Sequence, residues 1–401
     1  MTDRPDGLLS ADTELPSGNA RILDIRADVD LPEVHFTPLP TGAPEAMWFH
    51  FQLHPSPALN ATRIRCVLRY FENLLGNHPG ADVHGMHPVY RTEQRDWTRC
   101  ETIARHERED GQIDASWEVP GDEGPVQVAL CYPYTHAQLD QLHADTGEAW
   151  TVSGIGVTEN GREIQRWYNR GGEPEGSAPG IYCLARQHAS ETPGSWVLDG
   201  FLRHMTEQGS DAPLIWAVPF ADPDAVEAGR PGKDSYPWDF NRAWGSKLFP
   251  KEHIPEYGSH PMRHEVKCIQ HDLVRWTSRC APKLLLDFHA PVTRDASGIF
   301  CFLRDVENGN PNTAHAPWVE SIHRHLDPEF LGEPDFQFVR SGRYTSRWNT
   351  ARLGDFANLA LDVPMVNIET PYARSPKHLF TRYAYQTAGR QIAQAVIAQC
   401  G

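Results

Sequence analysis

No run of about 18 apolar residues occurs in this chain, and the opening MTDRPDGLLSADTELPSG holds no apolar core of the kind an export leader carries. Neither a membrane helix nor a secretory signal is expected. Positive charge is also short. Lys and Arg number 37 against 53 Asp and Glu, for a formal net charge of −16, which argues against nucleic acid or an anionic membrane as partner because both select a basic face. CxxC pairs are missing as well: the eight cysteines (Cys66, Cys100, Cys131, Cys183, Cys268, Cys280, Cys301 and Cys400) are scattered, several of them in apolar runs such as IYCLA. Buried free thiols are therefore expected, not a disulfide framework, and a cytoplasmic location with them. There is no internal repeat and no low-complexity tract.

What is present divides in two. With 401 residues and 40% apolar content, the chain exceeds one small domain and can bury a sizeable core. Up to residue 132, the runs MWFHFQL (47–53), RIRCVLRY (63–70), SWEVP (116–120) and VQVALCY (126–132) alternate with polar, Pro- and Gly-rich breaks, the pattern of an antiparallel β-sandwich. Beyond that point the texture changes. A helix is expected near Thr135, then a hairpin turning on Asn160-Gly161, then strands alternating with helices. The strands IYCLA (181–185), LIWAVP (214–219), KLLLDFH (283–289) and MVNIET (365–370) are continuously apolar, as suits a mixed, mainly parallel sheet covered on both faces. Phe380, Ala384, Ala388, Ile392 and Val396 recur at helical spacing and mark the core face of a last helix. The expected organisation is a sandwich domain over 1–132 and an α/β/α domain over 133–401.

Directly after IYCLA comes RQHASETPGSW. His188 and Glu191 stand three apart in a tight turn, with Pro193 placed to open a helix and Thr192 to cap it. A histidine and a carboxylate at this spacing can point at one ion and leave a third ligand to another element. His289 is the best-placed third ligand, since it ends KLLLDFH and sites in open α/β sheets gather at the carboxyl ends of strands. Among 20 histidines HxxE arises by chance, so position at strand ends carries the weight. Glu369 ends a further apolar run, where an ionised carboxylate is costly unless paired or used. Three protein ligands leave one place for water, the arrangement of a catalytic Zn2+, one per chain, with Glu369 as general base and acid. In DFNRAW (239–244), Arg242 can hold a terminal carboxylate in a bidentate fork with Asn241 beside it, and Asp239 can orient His188 through its second ring nitrogen. The plainer alternatives are an edge salt bridge for Glu369 and a surface turn for DFNR.

ARQHASETPGSW, DFNRAW, LLLDFHA and LGDFANLALDVPMVNIET together resemble the M14 zinc carboxypeptidases over residues from about 135 to 395, and within them the cytosolic carboxypeptidase branch. WFHFQL, HPVYRTEQRDWTRC and CYPYTHAQLDQL look like the β-sandwich that precedes the catalytic domain in that branch. The resemblance implies a carboxypeptidase-type α/β/α fold acting on the C-terminus of a peptide or protein. It puts zinc on His188, Glu191 and His289, makes Glu369 the base, and docks the terminal carboxylate on Asn241 and Arg242. It also implies an oxyanion-stabilising arginine upstream of Asn241, for which Arg230 is the choice, and a mobile tyrosine about 22 residues before Glu369. That position is Arg347 here, with Tyr344 just upstream. Members of the branch often trim glutamate from acidic tails, which asks for a cation in the pocket. Arg294, Arg347 and Arg352 lie near the right segments, while Gly354 falls where specificity is set in the secreted enzymes. The alternative is a related zinc amidohydrolase acting on an N-acyl amino acid or a cell-wall peptide. A binding module without catalysis would have no need of all three ligands and Glu369 together. Oligomeric state is not written in these residues.

Overall fold

A computed structural model describes residues 7–41, 43, 45–75, 85–233, 239–251, 263–291, 297–303, 314–333, 338–341 and 350–401. Among them, the chain as far as Ala129 forms two five-stranded sheets. One runs in the order β1 (Leu9–Asp12), β4 (His50–Pro55), β10 (Val126–Ala129), β6 (Val89–Arg91) and β7 (Thr98–Arg99). The other runs β2 (Arg21–Arg26), β3 (Glu33–Thr37), β5 (Arg63–Leu68), β9 (Ile113–Pro120) and β8 (Ala104–Glu107). Pairing is antiparallel apart from β3 with β5, which is parallel. The buried rings of Phe36, Phe49, Phe51 and Trp117 fill the space between the sheets, with Phe36 and Phe51 centroids 4.6 Å apart. β4 starts three residues later than the run MWFHFQL suggests, because Met47 adopts a left-handed φ of 47° that an extended strand cannot contain.

After a short helix between β5 and β6, α1 (Phe71–Leu75), the expected helix follows the sheets as α2 (His136–Thr146), entered at Thr135, whose N–H donates to the Gln138 side chain at 2.8 Å. The hairpin is β11 (Thr151–Val157) and β12 (Glu163–Tyr168), with Gly161 supplying φ 80° at the turn. These join an eight-stranded sheet in the order β11, β12, β14 (Leu214–Val218), β13 (Pro179–Ala185), β15 (Ala281–His289), β18 (Met365–Glu369), β16 (Phe300–Leu303), β17 (Val339–Ser341). β14, β13, β15 and β18 are mutually parallel in the centre. Alternate residues of these strands enter two different apolar layers. Ile181, Cys183, Leu284, Leu286, Val366 and Ile368 pack with α3 (Thr192–Gln208) and a C-terminal helix, Arg382–Cys400, whereas Tyr182, Leu184, Leu285 and Met365 pack with the helix His264–Thr277. Period-2 alternation between two covered faces is why these runs read as wholly apolar. Among the described residues no helix is long and apolar enough to cross a membrane, and all eight cysteines are unpaired thiols.

The first apolar layer continues without a break into the N-terminal sheets. Polar bonds cross the same seam. The buried guanidinium of Arg99 donates to the carbonyls of Phe380 (2.6 Å) and Tyr372 (2.9 Å) and to the Tyr385 hydroxyl (3.0 Å), and the Cys131 thiol donates to Tyr372 as well. On another side, Ser17 N–H donates to Glu227 at 2.9 Å and Asn19 Nδ2 to Gly229 at 2.7 Å. The N-terminal sheets are thus anchored on both chain segments that flank the central strands' carboxyl ends.

Candidate metal centre

At the end of β13 the chain turns sharply: Arg186 takes φ 61°, and its buried guanidinium braces the turn by bonding the carbonyls of Ala189 and Tyr134. The turn closes with the Glu191 N–H donating to His188 O at 3.1 Å, and α3 begins at once. The cap differs from expectation. Glu191, not Thr192, holds the N-cap position, and its side chain does not cap because both carboxylate oxygens are engaged by histidines; the Thr192 hydroxyl lies inside the first turn with no partner among the described residues. Gly194 allows the helix to press on the end of β15, since a Cβ there would stand 2.7 Å from Phe288 O. That close approach brings Glu191 onto His289.

Nδ1 of His188 lies 3.0 Å from Glu191 Oε1, and Nδ1 of His289 lies 2.8 Å from Oε2. One ligand atom from each of the three residues falls within 4.8 Å of the others, and all three residues are buried. The remaining ring nitrogens are taken: His188 Nε2 meets Asp239 Oδ1 at 3.0 Å, and His289 Nε2 meets Asp287 Oδ2 at 2.8 Å. Carboxylates behind both rings fix them so that the two Nδ1 atoms converge, the outer arrangement that metal-bound histidines use. Burial disfavours charge on both rings, but Glu191 with Asp239 for His188, and Asp287 with Glu191 for His289, outweigh it and raise both pKa values. Burial would likewise raise Glu191, yet Lys233, His188 and His289 hold it well below the usual carboxylate range. Buried carboxylates around two imidazoles form a cluster whose charge favours a metal cation, and the donor set fits one.

His289 and Glu369 end neighbouring parallel strands in register, so the fourth carboxylate arrives beside the cluster. Burial pushes Glu369 up to about 7. Asn241 and Arg242 line the same cavity in a short turn begun by Asp239, which accepts the Asn241 N–H at 2.8 Å; Asn241 Oδ1 in turn accepts Leu353 N–H at 3.0 Å. Of the other sequence-derived candidates, Arg352 and Gly354 line the cavity, and Arg352 pairs with Asp355 at 3.6 Å. Arg230 does not line it and has a buried Nε without a partner among the described residues. Tyr344, Arg347 and Arg294 lie outside the described residues.

Four further residues emerge from the structure. Lys233 enters the cavity with its ammonium 3.1 Å from Glu191 Oε1. It is delivered by Gly232, whose φ of 82° and backbone contact with the His188 turn exclude any side chain: a Cβ would lie 2.6 Å from Ala189 N. Asp287 is the rear partner of His289 and was readable from the strand itself, two residues before the histidine on one face. Asn367 shares the cavity face with Met365 and Glu369 by the same alternation. Glu45 comes from the N-terminal part.

This architecture matches solved structures along its whole length. A metallo-carboxypeptidase from Burkholderia cenocepacia superposes with a TM-score of 0.73 at 14% identity, covering 98% of each chain. The chain has the metallo-carboxypeptidase fold. A metallo-carboxypeptidase from Pseudomonas aeruginosa, solved with (2-guanidinoethylmercapto)succinic acid, gives 0.70 at 19% identity over 97% of this chain and 98% of that one. No family model matches the sequence, and no curated protein matches it.

Proposed function

We propose that the chain is a zinc carboxypeptidase of the cytosolic M14 type, with the sandwich (1–132) and catalytic (133–401) domains expected from the sequence. The observation that carries this reading is the convergence of His188 Nδ1, Glu191 and His289 Nδ1 beside the carboxylate of Glu369, in a cavity that also holds Asn241 and Arg242. Two imidazoles and a carboxylate suit zinc, which when bound would acidify water and polarise a peptide carbonyl. Glu369, raised by burial to about 7, takes the proton of the attacking water and returns it to the departing amine. Arg242 and Asn241 hold the terminal carboxylate, which limits cleavage to the last residue. Asp239 and Asp287 keep the two imidazoles in the tautomer that presents Nδ1. Lys233 supplies the cation for charge that develops on the scissile oxygen, the role the sequence suggested for Arg230.

Arg352 supports an acidic terminal side chain such as glutamate, with Asp355 offsetting part of its charge. The eight unpaired thiols support a cytoplasmic setting. The test is mass spectrometry of zinc-loaded protein with peptides that vary only the last residue, each with a free and an amidated C-terminus. Stepwise loss of one residue from free peptides alone supports the reading, and the fastest release identifies the preferred side chain. Cleavage of amidated peptides at equal rates would remove Arg242 from its role; no release from any peptide would leave the amidohydrolase alternative.

A further inference from the structure

The cavity holds a carboxylate that neither the metal centre nor the carboxylate clamp requires. Glu45 belongs to the segment between β3 and β4, yet it lines the same cavity as His188, Glu191 and Glu369. Its Oε2 is shielded from solvent and accepts no hydrogen bond among the described residues. A desolvated, unsatisfied carboxylate oxygen is costly, so a wall that carries one without need is disfavoured.

The segment is also held firmly. Met47, in its left-handed conformation, donates its N–H to Leu74 O at 2.9 Å. Trp48 Nε1 donates to Ser17 O at 2.8 Å, and Ser17 N–H donates to Glu227 O, at the start of the loop that delivers Lys233. Glu45 is therefore fixed relative to the catalytic cavity through a chain of hydrogen bonds from its own loop. Its loop is tied in this way to the one that carries Lys233, which places it on the Lys233 side. Asn241 and Arg242 adjoin Asp239 and Leu353 instead. If the leaving residue sits on Arg242, the peptide on the amino side of the scissile bond runs towards Glu45.

Resting on the carboxypeptidase reading above, we propose that Glu45 receives an ammonium group carried by the substrate on the amino side of the cleaved bond. That group is either the α-ammonium of a very short peptide or the side chain of a basic penultimate residue. An α-amino group with an ordinary pKa near 8 is mostly charged at pH 7, so both sources present the same chemistry. The N-terminal sheets then select substrates directly by completing the cavity.

The test uses the zinc-loaded full chain and two matched substrate pairs sharing one terminal residue: a dipeptide against its N-acetyl form, and N-acetyl-Lys against N-acetyl-norleucine before that residue. Wild-type kcat/KM is expected to favour the ammonium-bearing member of one pair by about tenfold, carried by KM, since one charge-assisted contact is worth roughly 1.4 kcal/mol or more. The pair that discriminates identifies the source. Glu45→Gln brings that ratio towards one, and Glu45→Lys reverses it. Equal turnover within both wild-type pairs would overturn the proposal while leaving the carboxypeptidase reading intact. So would a Glu45→Gln variant that slows all four substrates by one factor, because Glu45 would then serve only as a counterion of Lys233. Absence of terminal-residue release from every substrate would remove both readings together.

Discussion

The ammonium of Lys233 stands 3.1 Å from Oε1 of Glu191, the carboxylate whose two oxygens also reach both histidines. A metal dication bound there would share this carboxylate with a fixed cation. Their mutual repulsion would be sizeable in a buried site and would weaken the metal's hold. Lys233→Met is expected to bind zinc at least several-fold more tightly in competition with a chelating dye, and at the same time to lose kcat. Unchanged affinity would show that the lysine swings clear once metal is bound.

Removal of either imidazole should abolish binding. His188→Ala and His289→Ala are expected to carry far less than one zinc per chain by elemental analysis, because two protein ligands do not hold the ion against buffer. Glu369→Gln should keep full metal and lose about 10²–10⁴ in kcat, since only proton transfer is removed. A Glu369→Gln variant that turns over normally would move the base to another residue.

Arg242→Ala should lower kcat/KM for free peptides by roughly two orders of magnitude and leave amidated peptides where they were, because a bidentate charge-assisted contact is lost with the free carboxylate alone. Side-by-side kinetics on one peptide in both forms decide it. Equal losses on both would mean that Arg242 supports the site structurally.

His50 gives a stability prediction away from the site. It is buried at the start of β4, with Nδ1 3.1 Å from Ser17 Oγ, and burial pulls its pKa from 6.5 down to about 3. Between those values the unfolded chain binds a proton that the folded chain refuses, so this group's contribution is present above pH 6.5 and is lost as pH falls. At pH 5 the loss is about 2 kcal/mol. Thermal unfolding from pH 7.5 to 5 should therefore fall less steeply in His50→Gln than in wild type; parallel curves would show that His50 is protonated in the folded protein.

Much of the central sheet was legible because its strands are continuously apolar and end in residues that apolar runs do not tolerate idly. His289 and Glu369 stand out on that ground alone, and His188 and Glu191 by spacing and strand-end position. Asp287 and Asn367 were equally available from period-2 alternation with those two residues, but a carboxylate or amide inside a strand draws less notice than one at its end. Lys233 was not readable. It sits in an irregular Gly- and Pro-rich segment with no period, and only the packing of Gly232 on the His188 turn decides that this cation, and not Arg230, enters the cavity. Glu45 lies more than a hundred residues in sequence from His188, the nearest of the candidate metal ligands, and its place depends wholly on how the N-terminal sheets dock. The misplaced cap has a local cause: an N-cap preference of Thr yields when the preceding carboxylate is drawn away to other partners.

Arg99 also bears on the order of assembly. Its buried guanidinium bonds the His87 carbonyl nearby in the chain, but its acceptors on Tyr372, Phe380 and Tyr385 lie 273 to 286 residues further along. Closing so large a loop comes late, because its entropy is lost before the contact rewards it. The seam that seats the N-terminal sheets against the cavity wall is therefore expected to close after the central strands have paired.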